Sequence, residues 1–126
     1  MKTTGIYTQH EENKEWLNTL SFYSDEIKVL EGRLGEVVLK NNSQEIRSQI
    51  EHFQNQLIIQ RDQIDRIKHE INLGESALVA EVNRNPVSVD HRKVADHSVL
   101  RDQVSTFKNI FEALRKELNA NLSKWM

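Results

Sequence analysis

Three histidines are the residues most able to do chemistry in this chain. His10, His91 and His97 lie far apart in the sequence. Two chain reversals, near Asn42 and near Pro86, would bring all three to one end of a helical bundle. The acidic residues expected beside them are Glu12, Glu75, Asp90 and Asp96. Histidines and carboxylates from different helices can together bind a transition metal, so the three histidines are the candidate metal ligands.

The spacing of these groups does not match a known metal centre of helical bundles. Di-iron proteins place a Glu-x-x-His pair on each of two helices, and the chain contains no such pair. It also has no cysteine, no glycine run that could hold phosphate and no serine in a nucleophile turn. His97 falls on an apolar stripe, where a hydrogen-bonded structural histidine is the common outcome. The sequence therefore predicts no enzyme and no cofactor, with metal binding as the alternative.

The elements that must position these residues are three helices, each with one narrow apolar stripe. In the second helix the stripe recurs at alternating intervals of four and three, with Gln60 as a polar member: Ile46, Ile50, Phe53, Leu57, Gln60, Ile64, Ile67, Ile71, Gly74 and Leu78. The first helix has such a stripe from Trp16 to Val37, and the third has one from His97 to Trp125. This spacing is typical of helices that pack as in a coiled coil. It predicts an all-α fold, an elongated antiparallel three-helix bundle with heptad packing.

The first helix is expected to begin after a short N-terminal tail, residues 1–8. Thr8 and Glu11 form the T-x-x-E pattern of a capping box, in which each side chain accepts a hydrogen bond from a free backbone N–H. Residues 9–126 are then expected to form a single bundle domain, because the three stripes share one period and only short breaks separate them.

Two short breaks separate the helices. Asn41, Asn42 and Ser43 can end the first helix and cap the second, which we expect to extend to about Val82. Pro86 cannot continue a helix but suits the first turn of a new one, so the third helix is expected to begin there. Its cap would be Asn85 or, in the alternative, Ser88 or Asp90.

Charge limits the range of partners. The formal net charge of −2 gives no overall attraction to nucleic acid or to an anionic membrane. The chain contains no apolar run of about 18 residues and no N-terminal signal region, so we expect a cytoplasmic protein. Arg101, Lys108 and Arg115 recur every seven residues. They either pair with the more acidic first two helices, which is the ordinary role of such residues, or bind an acidic partner or nucleic acid.

Four bulky apolar residues fall off the stripes: Phe22 and Val29 in the first helix, Ile58 and Ile59 in the second. Antiparallel pairing of these helices would bring all four to one level. Single exposed apolar residues are ordinary, but a group of four favours an interface. We therefore expect one outer patch that forms a homodimer, with the third helix left outside, or that binds another protein.

The run Glu36-Val37-Val38-Leu39-Lys40-Asn41-Asn42, followed by Glu51-His52-Phe53-Gln54-Asn55-Gln56, resembles a family of small helical bacterial proteins of uncharacterised function that have an E-H-F-Q-N-Q core. The resemblance covers about residues 15–75 and implies a helical fold and no known activity. His52 and Asn55, on the outer side of the second helix, are further candidate contact residues. The sequence thus predicts a non-catalytic interaction or scaffold module that self-associates. The alternative is a metal-binding or stress-related bundle that uses its histidine end.

Overall fold

The computed structural model describes residues 3–87, 89 and 92–126, and three long helices account for most of them. The elements are β1 (Thr3–Gly5), α1 (Ile6–Lys40), α2 (Gln44–Arg84), β2 (Lys93–Ala95) and α3 (Ser98–Trp125). The all-α three-helix fold is confirmed, with a small two-stranded sheet added to it. Within the described ranges, no helix is both long enough and apolar enough to cross a membrane.

Side-chain contacts show that α1 and α2 run in opposite directions. His10, near the start of α1, contacts Glu75, near the end of α2. Glu31, in the second half of α1, pairs with Arg61, near the middle of α2. The turn between the two helices forms as predicted, because the Ser43 side chain accepts a hydrogen bond from the first turn of α2.

The third helix runs in the same direction as α1. Near its start, Arg101 binds Glu12, and further along it Arg115 pairs with Glu26 at 3.7 Å. The basic residues of α3 were expected to pair with the first two helices, and for Arg101 and Arg115 this is confirmed, since both pair with α1. The crossing angles typical of a coiled coil stay a prediction.

The three stripes meet in one core. Every apolar stripe residue of α1 from Trp16 to Val37 is buried, and so is the stripe of α2 from Ile50 to Ile71, including Gln60 at 6% exposure. In α3 the buried residues are Leu100, Val104, Phe107, Phe111, Leu114, Leu118 and Leu122. Tyr23 of α1 packs edge-on against Phe111, with ring centroids 4.9 Å apart. The core is thus complete within one chain.

Residues 3–8 do not form the expected N-terminal tail. Thr3–Gly5 pairs antiparallel with Lys93–Ala95, and α1 begins at Ile6, before the proposed capping box. Ile6 is buried at 3% exposure, and its backbone N–H donates to the Arg92 carbonyl. Because a strand partner and a buried side chain hold the chain here, the helix does not need the Thr8 cap.

The third helix begins much later than expected. It starts at Ser98 rather than near Pro86, since strand β2 and the residues after it separate α2 from α3. Arg92 organises this connection by donating side-chain hydrogen bonds to backbone carbonyls of Glu81, Asn85 and Val87. His97 therefore precedes α3 and is not a member of its stripe. The alternative caps Ser88 and Asp90 lie outside the described residues.

The core makes a direct prediction about stability. Phe111 is completely buried, so Phe111→Ala should lower the free energy of unfolding by about 3–5 kcal/mol, through lost burial and the cavity left behind. Glu51, exposed on α2, provides the control, and Glu51→Ala should change stability by less than about 0.5 kcal/mol. Urea denaturation measures both. Equal losses would mean that the faces of the helices are assigned wrongly.

Candidate functional site

A polar cluster lies where the start of α3 meets α1, with the Arg101 guanidinium at its centre. Its Nε donates to Glu12 Oε2 at 3.0 Å and its Nη2 to Glu12 Oε1 at 2.9 Å. Nη1 and Nη2 also donate to the two carboxylate oxygens of Asp96, both at 3.0 Å. One arginine thus forms paired hydrogen bonds with two carboxylates, the geometry in which guanidinium–carboxylate pairs are strongest.

His97 joins the same cluster. Its Nε2 lies 3.0 Å from Glu12 Oε1, and its ring packs against Trp16 with centroids 4.7 Å apart. Thr4 of β1 donates its hydroxyl to Asp96 Oδ1 at 3.4 Å. The cluster therefore connects α1, the N-terminal strand and the segment that leads into α3.

The local sequence explains why this connection matters for α3. The helix begins without a side-chain cap and without an acidic residue in its first turn, so two usual stabilisers of a helix start are missing. Arg101, in that first turn, is held instead by Glu12 and Asp96. The ion pairs fix the position at which α3 begins.

The same contacts shift the protonation of Glu12. The hydrogen bond from Arg101 is the main cause that lowers the pKa of the Glu12 carboxyl, burial opposes the shift, and the bond with His97 adds to the lowering. The pKa of Arg101 is raised, first by its bonds to Asp96 and then by those to Glu12. Both shifts favour the charged forms that form the pairs.

As a metal site, the cluster has suitable atom types but already contains a cation. Ligand atoms of Glu12, Asp96 and His97 all lie within 4.8 Å of one another, the one such group found in the described part of the chain. Arg101, however, is hydrogen-bonded to both carboxylates. A metal ion would have to displace the guanidinium before it could bind these oxygens.

The other histidines of the predicted metal site are not part of this cluster. His10 contacts Glu75 instead, and the second oxygen of that carboxylate accepts a hydrogen bond from Asn13 Nδ2 at 2.9 Å. His91 and its predicted neighbour Asp90 lie outside the described residues. The expected acids are thus divided, with Glu12 and Asp96 beside His97 and with Glu75 beside His10.

Phe22, Val29, Ile58 and Ile59 are all exposed as expected, at between 46% and 55%, but they do not form one patch. Glu26, one turn from both Phe22 and Val29, pairs with Arg115 of α3, so that pair lies on the α3 side of α1. Arg61, one turn from Ile58, pairs with α1, whereas Ile59 lines a groove against α3. Adjacent helical residues differ by about 100°, and this separates Ile58 from Ile59.

A groove between α2 and α3 has a volume of about 680 Å³. Its floor consists of the buried residues Gln60, Ile67 and Phe107, and its walls carry the exposed side chains of Ile59, Val99 and Ile110. The charged residues along it are Arg66, Glu70 and Asp102. An open apolar hollow with polar edges is a usual form of a protein-binding surface.

Sequence reasoning missed Val99 and Ile110, although the sequence contains a signal for them. Together with Thr106 they form a second row on α3, at intervals of seven and four, beside the buried stripe. Of the two contact residues suggested by the resemblance, His52 lines a smaller hollow between the same helices, while Asn55 is simply exposed. His52 also packs edge-on against Phe53, with ring centroids 5.5 Å apart.

In comparisons with known proteins, the chain matched no family model, no curated protein and no solved structure. The resemblance to proteins with an E-H-F-Q-N-Q core therefore stays a prediction. The function has to be argued from the geometry of the chain itself.

The polar cluster predicts how stability depends on Arg101 and on pH. Arg101→Gln should lower the free energy of unfolding by about 1–3 kcal/mol at neutral pH, because charge-assisted hydrogen bonds to two carboxylates are lost. Lys108→Gln, a change at an exposed position of the same helix, is the control and should have little effect.

The difference between wild type and Arg101→Gln should shrink in acid. A carboxyl whose pKa is lowered by folding stabilises the protein above its unfolded pKa, and this contribution is lost as the pH falls through the folded pKa. Since Arg101 is the main cause of the lowered Glu12 pKa, the difference should begin to shrink as the pH falls below about 4, near the pKa of Glu in an unfolded chain. It should disappear only below the lower pKa that Glu12 has in the folded protein. Urea denaturation as a function of pH measures this. A constant difference across the whole range would contradict the assignment.

Proposed function

We propose that this protein is a non-catalytic helical interaction module that self-associates in the cytoplasm. One observation carries the proposal. The three stripes already complete a core, yet Ile59, Val99 and Ile110 remain about half exposed or more around a single groove. Apolar side chains grouped in this way favour burial against another protein surface.

The polar groups support a structural rather than a catalytic role. Arg101 is hydrogen-bonded to both Glu12 and Asp96, and His97 is bonded to Glu12 and packed on Trp16. Groups committed to one another in this way hold helices together and are poorly placed to exchange protons with a substrate. A role in connecting the helices accounts for these contacts, and no catalysed reaction is needed to explain them.

A second copy of this chain is the partner that we propose first. Most soluble assemblies are symmetric homo-oligomers, and the two-fold dimer is the commonest closed form. The net charge of −2 places little long-range repulsion between copies. Because loss of rigid-body freedom offsets much of the apolar burial, we expect micromolar affinity.

Sedimentation of the wild-type protein tests the proposal. Between about 1 and 100 µM, the range in which a micromolar dimer assembles, the average mass should rise from that of a monomer toward twice that value. A protein that stays monomeric at about 100 µM would contradict self-association.

Metal binding is a second candidate, because Glu12, Asp96 and His97 place three possible ligand atoms within 4.8 Å. Against it stands the guanidinium of Arg101 between the two carboxylates. If the cluster is structural, as we propose, the free energy of unfolding of the protein should not depend on a bound metal.

His97→Asn separates the two candidates. We expect it to lower the free energy of unfolding by about 1–3 kcal/mol, because a hydrogen bond to the Glu12 carboxylate is lost, and by the same amount with a chelator or with Zn²⁺. His69→Asn, at an exposed position on α2, is the matched control. Zn²⁺ that stabilises the wild type but not His97→Asn would instead favour a metal site.

A further inference from the structure

We infer that one end of the bundle is a latch that opens as a unit while the rest of the bundle stays folded. The latch consists of residues 3–9, which are β1 and the first turn of α1, and residues 92–97, which lead into α3. Opening would separate these two segments and uncover the end of the bundle. It does not depend on self-association.

The apolar core stops before it reaches this end. The connected core of the three helices begins at Trp16 in α1 and ends at Ile71 in α2. Ile6 and Leu78 are buried as well, at 3% and 7% exposure, but they lie outside that core. Because apolar stabilisation grows with the area buried, two side chains hold this end far more weakly than the core holds the rest of the bundle.

A polar layer separates Ile6 and Leu78 from the core. Gln9 and Asn13 of α1 are buried at 5% and 1% exposure. Asn13 donates to Glu75 Oε2 at 2.9 Å, but its own Oδ1 is buried and accepts no hydrogen bond from the residues that the structure describes. A buried acceptor without a partner costs free energy, and opening would let water reach it. This layer therefore makes the closed state less favourable than an apolar layer would.

The contacts that close the latch are polar and link its two segments to each other. The strands β1 and β2 pair over three residues each, and the Ile6 backbone N–H donates to the Arg92 carbonyl at 3.1 Å. Gln9 Nε2 donates to Thr4 Oγ1 and to the Ala95 carbonyl, both at 2.6 Å. Since a single pair of strands is marginally stable in water, these side-chain bonds are needed to keep the end closed.

The same network reaches the first turn of α3. Thr4 Oγ1 donates to Asp96 Oδ1 at 3.4 Å, and Asp96 accepts hydrogen bonds from Arg101 of α3. The start of α3 has no side-chain cap of its own. Release of β1 would therefore remove support from Asp96 and from the first turn of α3 together. Contacts shared in this way make neighbouring segments open as one cooperative unit.

An open latch would present a surface that the closed protein hides. The strand β2 would lose its partner and offer free backbone N–H and C=O groups, with which another strand can pair. Ile6 and Leu78 would become accessible beside it. The latch thus controls access to this end of the bundle.

Hydrogen exchange, followed residue by residue by NMR, tests whether the latch opens without the core. The amides of Ile6 and Arg101 each donate to a carbonyl of residues 92–97 and report on the latch, whereas the Phe111 amide, in the middle of α3, reports on the core. Ile64→Val, at a buried position of α2, should speed exchange at Phe111 about two- to tenfold and leave the two latch amides unchanged. Equal acceleration of all three would mean that this end opens only when the whole protein unfolds, and would overturn the inference.

Thr4→Val tests whether the two segments open together. The change keeps the shape of the side chain but removes its hydrogen bonds with both segments of the latch. It should speed exchange of the Ile6 and Arg101 amides by the same factor, at least about threefold. Thr3→Val, at an exposed position of the same strand, is the control and should leave both rates near the wild-type values. An unchanged rate at Arg101 in Thr4→Val would show that the segments do not open together and would also overturn the inference.

Thiol labelling provides a second measurement if the latch amides exchange too fast to follow. The chain has no cysteine, so Leu78→Cys reports on the end of the bundle, and Leu57→Cys, the same change at a completely buried position of α2, reports on the core. A thiol reagent should modify Leu78→Cys at least about a hundredfold faster than Leu57→Cys, and adding Thr4→Val should speed the reaction at position 78 further. Equal rates at the two positions would contradict a latch.

Discussion

Each of the three helices buries residues at alternating intervals of three and four, and the other positions stay outside the core. This constraint determines most of the structure. Three such stripes, which contain fully buried residues such as Leu20, Ile64 and Phe111, are enough for one closed core. Apolar side chains in the other rows of a helix lie at the edge of this core, as Leu17 and Val38 do, or outside it. Ile59, Val99 and Ile110 belong to such rows, and for that reason they line an open groove.

Two arginines connect the helices at the end of the bundle where α2 ends and α3 begins. Arg101 binds Glu12 and Asp96 at the start of α3, and Arg92 donates to backbone carbonyls in the last turn of α2 and directly after it. Gln9, buried at 5% exposure, bonds Thr4 and the Ala95 carbonyl and so joins the sheet to α1. Together these contacts place α3 parallel to α1. They also fix the position of Val99, which lines the α2–α3 groove, because Val99 lies in the same first turn of α3 as Arg101.

Sequence reasoning identified the buried stripes and one turn, and it missed features that depend on contacts between distant parts of the chain. The stripes and the turn at Ser43 could be predicted because periodicity and capping are local signals. The strand Thr3–Gly5 could not, since three residues show no period and their partner Lys93–Ala95 is distant in the chain. The single patch predicted from Phe22, Val29, Ile58 and Ile59 was wrong for a related reason. Spacing identifies the outer rows of a helix, but it does not tell which neighbouring helix lies beside each row.

The central proposal is that this chain self-associates and that one groove, not exposed apolar surface in general, accounts for the association. Methyl NMR of an isoleucine-labelled sample during dilution tests it most directly, because Ile58 and Ile59 are adjacent and equally exposed but lie on different sides of α2. The account predicts that the Ile59 and Ile110 signals shift as the protein is diluted through the micromolar range, while the Ile58 signal stays in place. Shifts of Ile58 alone, or equal shifts of all three, would contradict it.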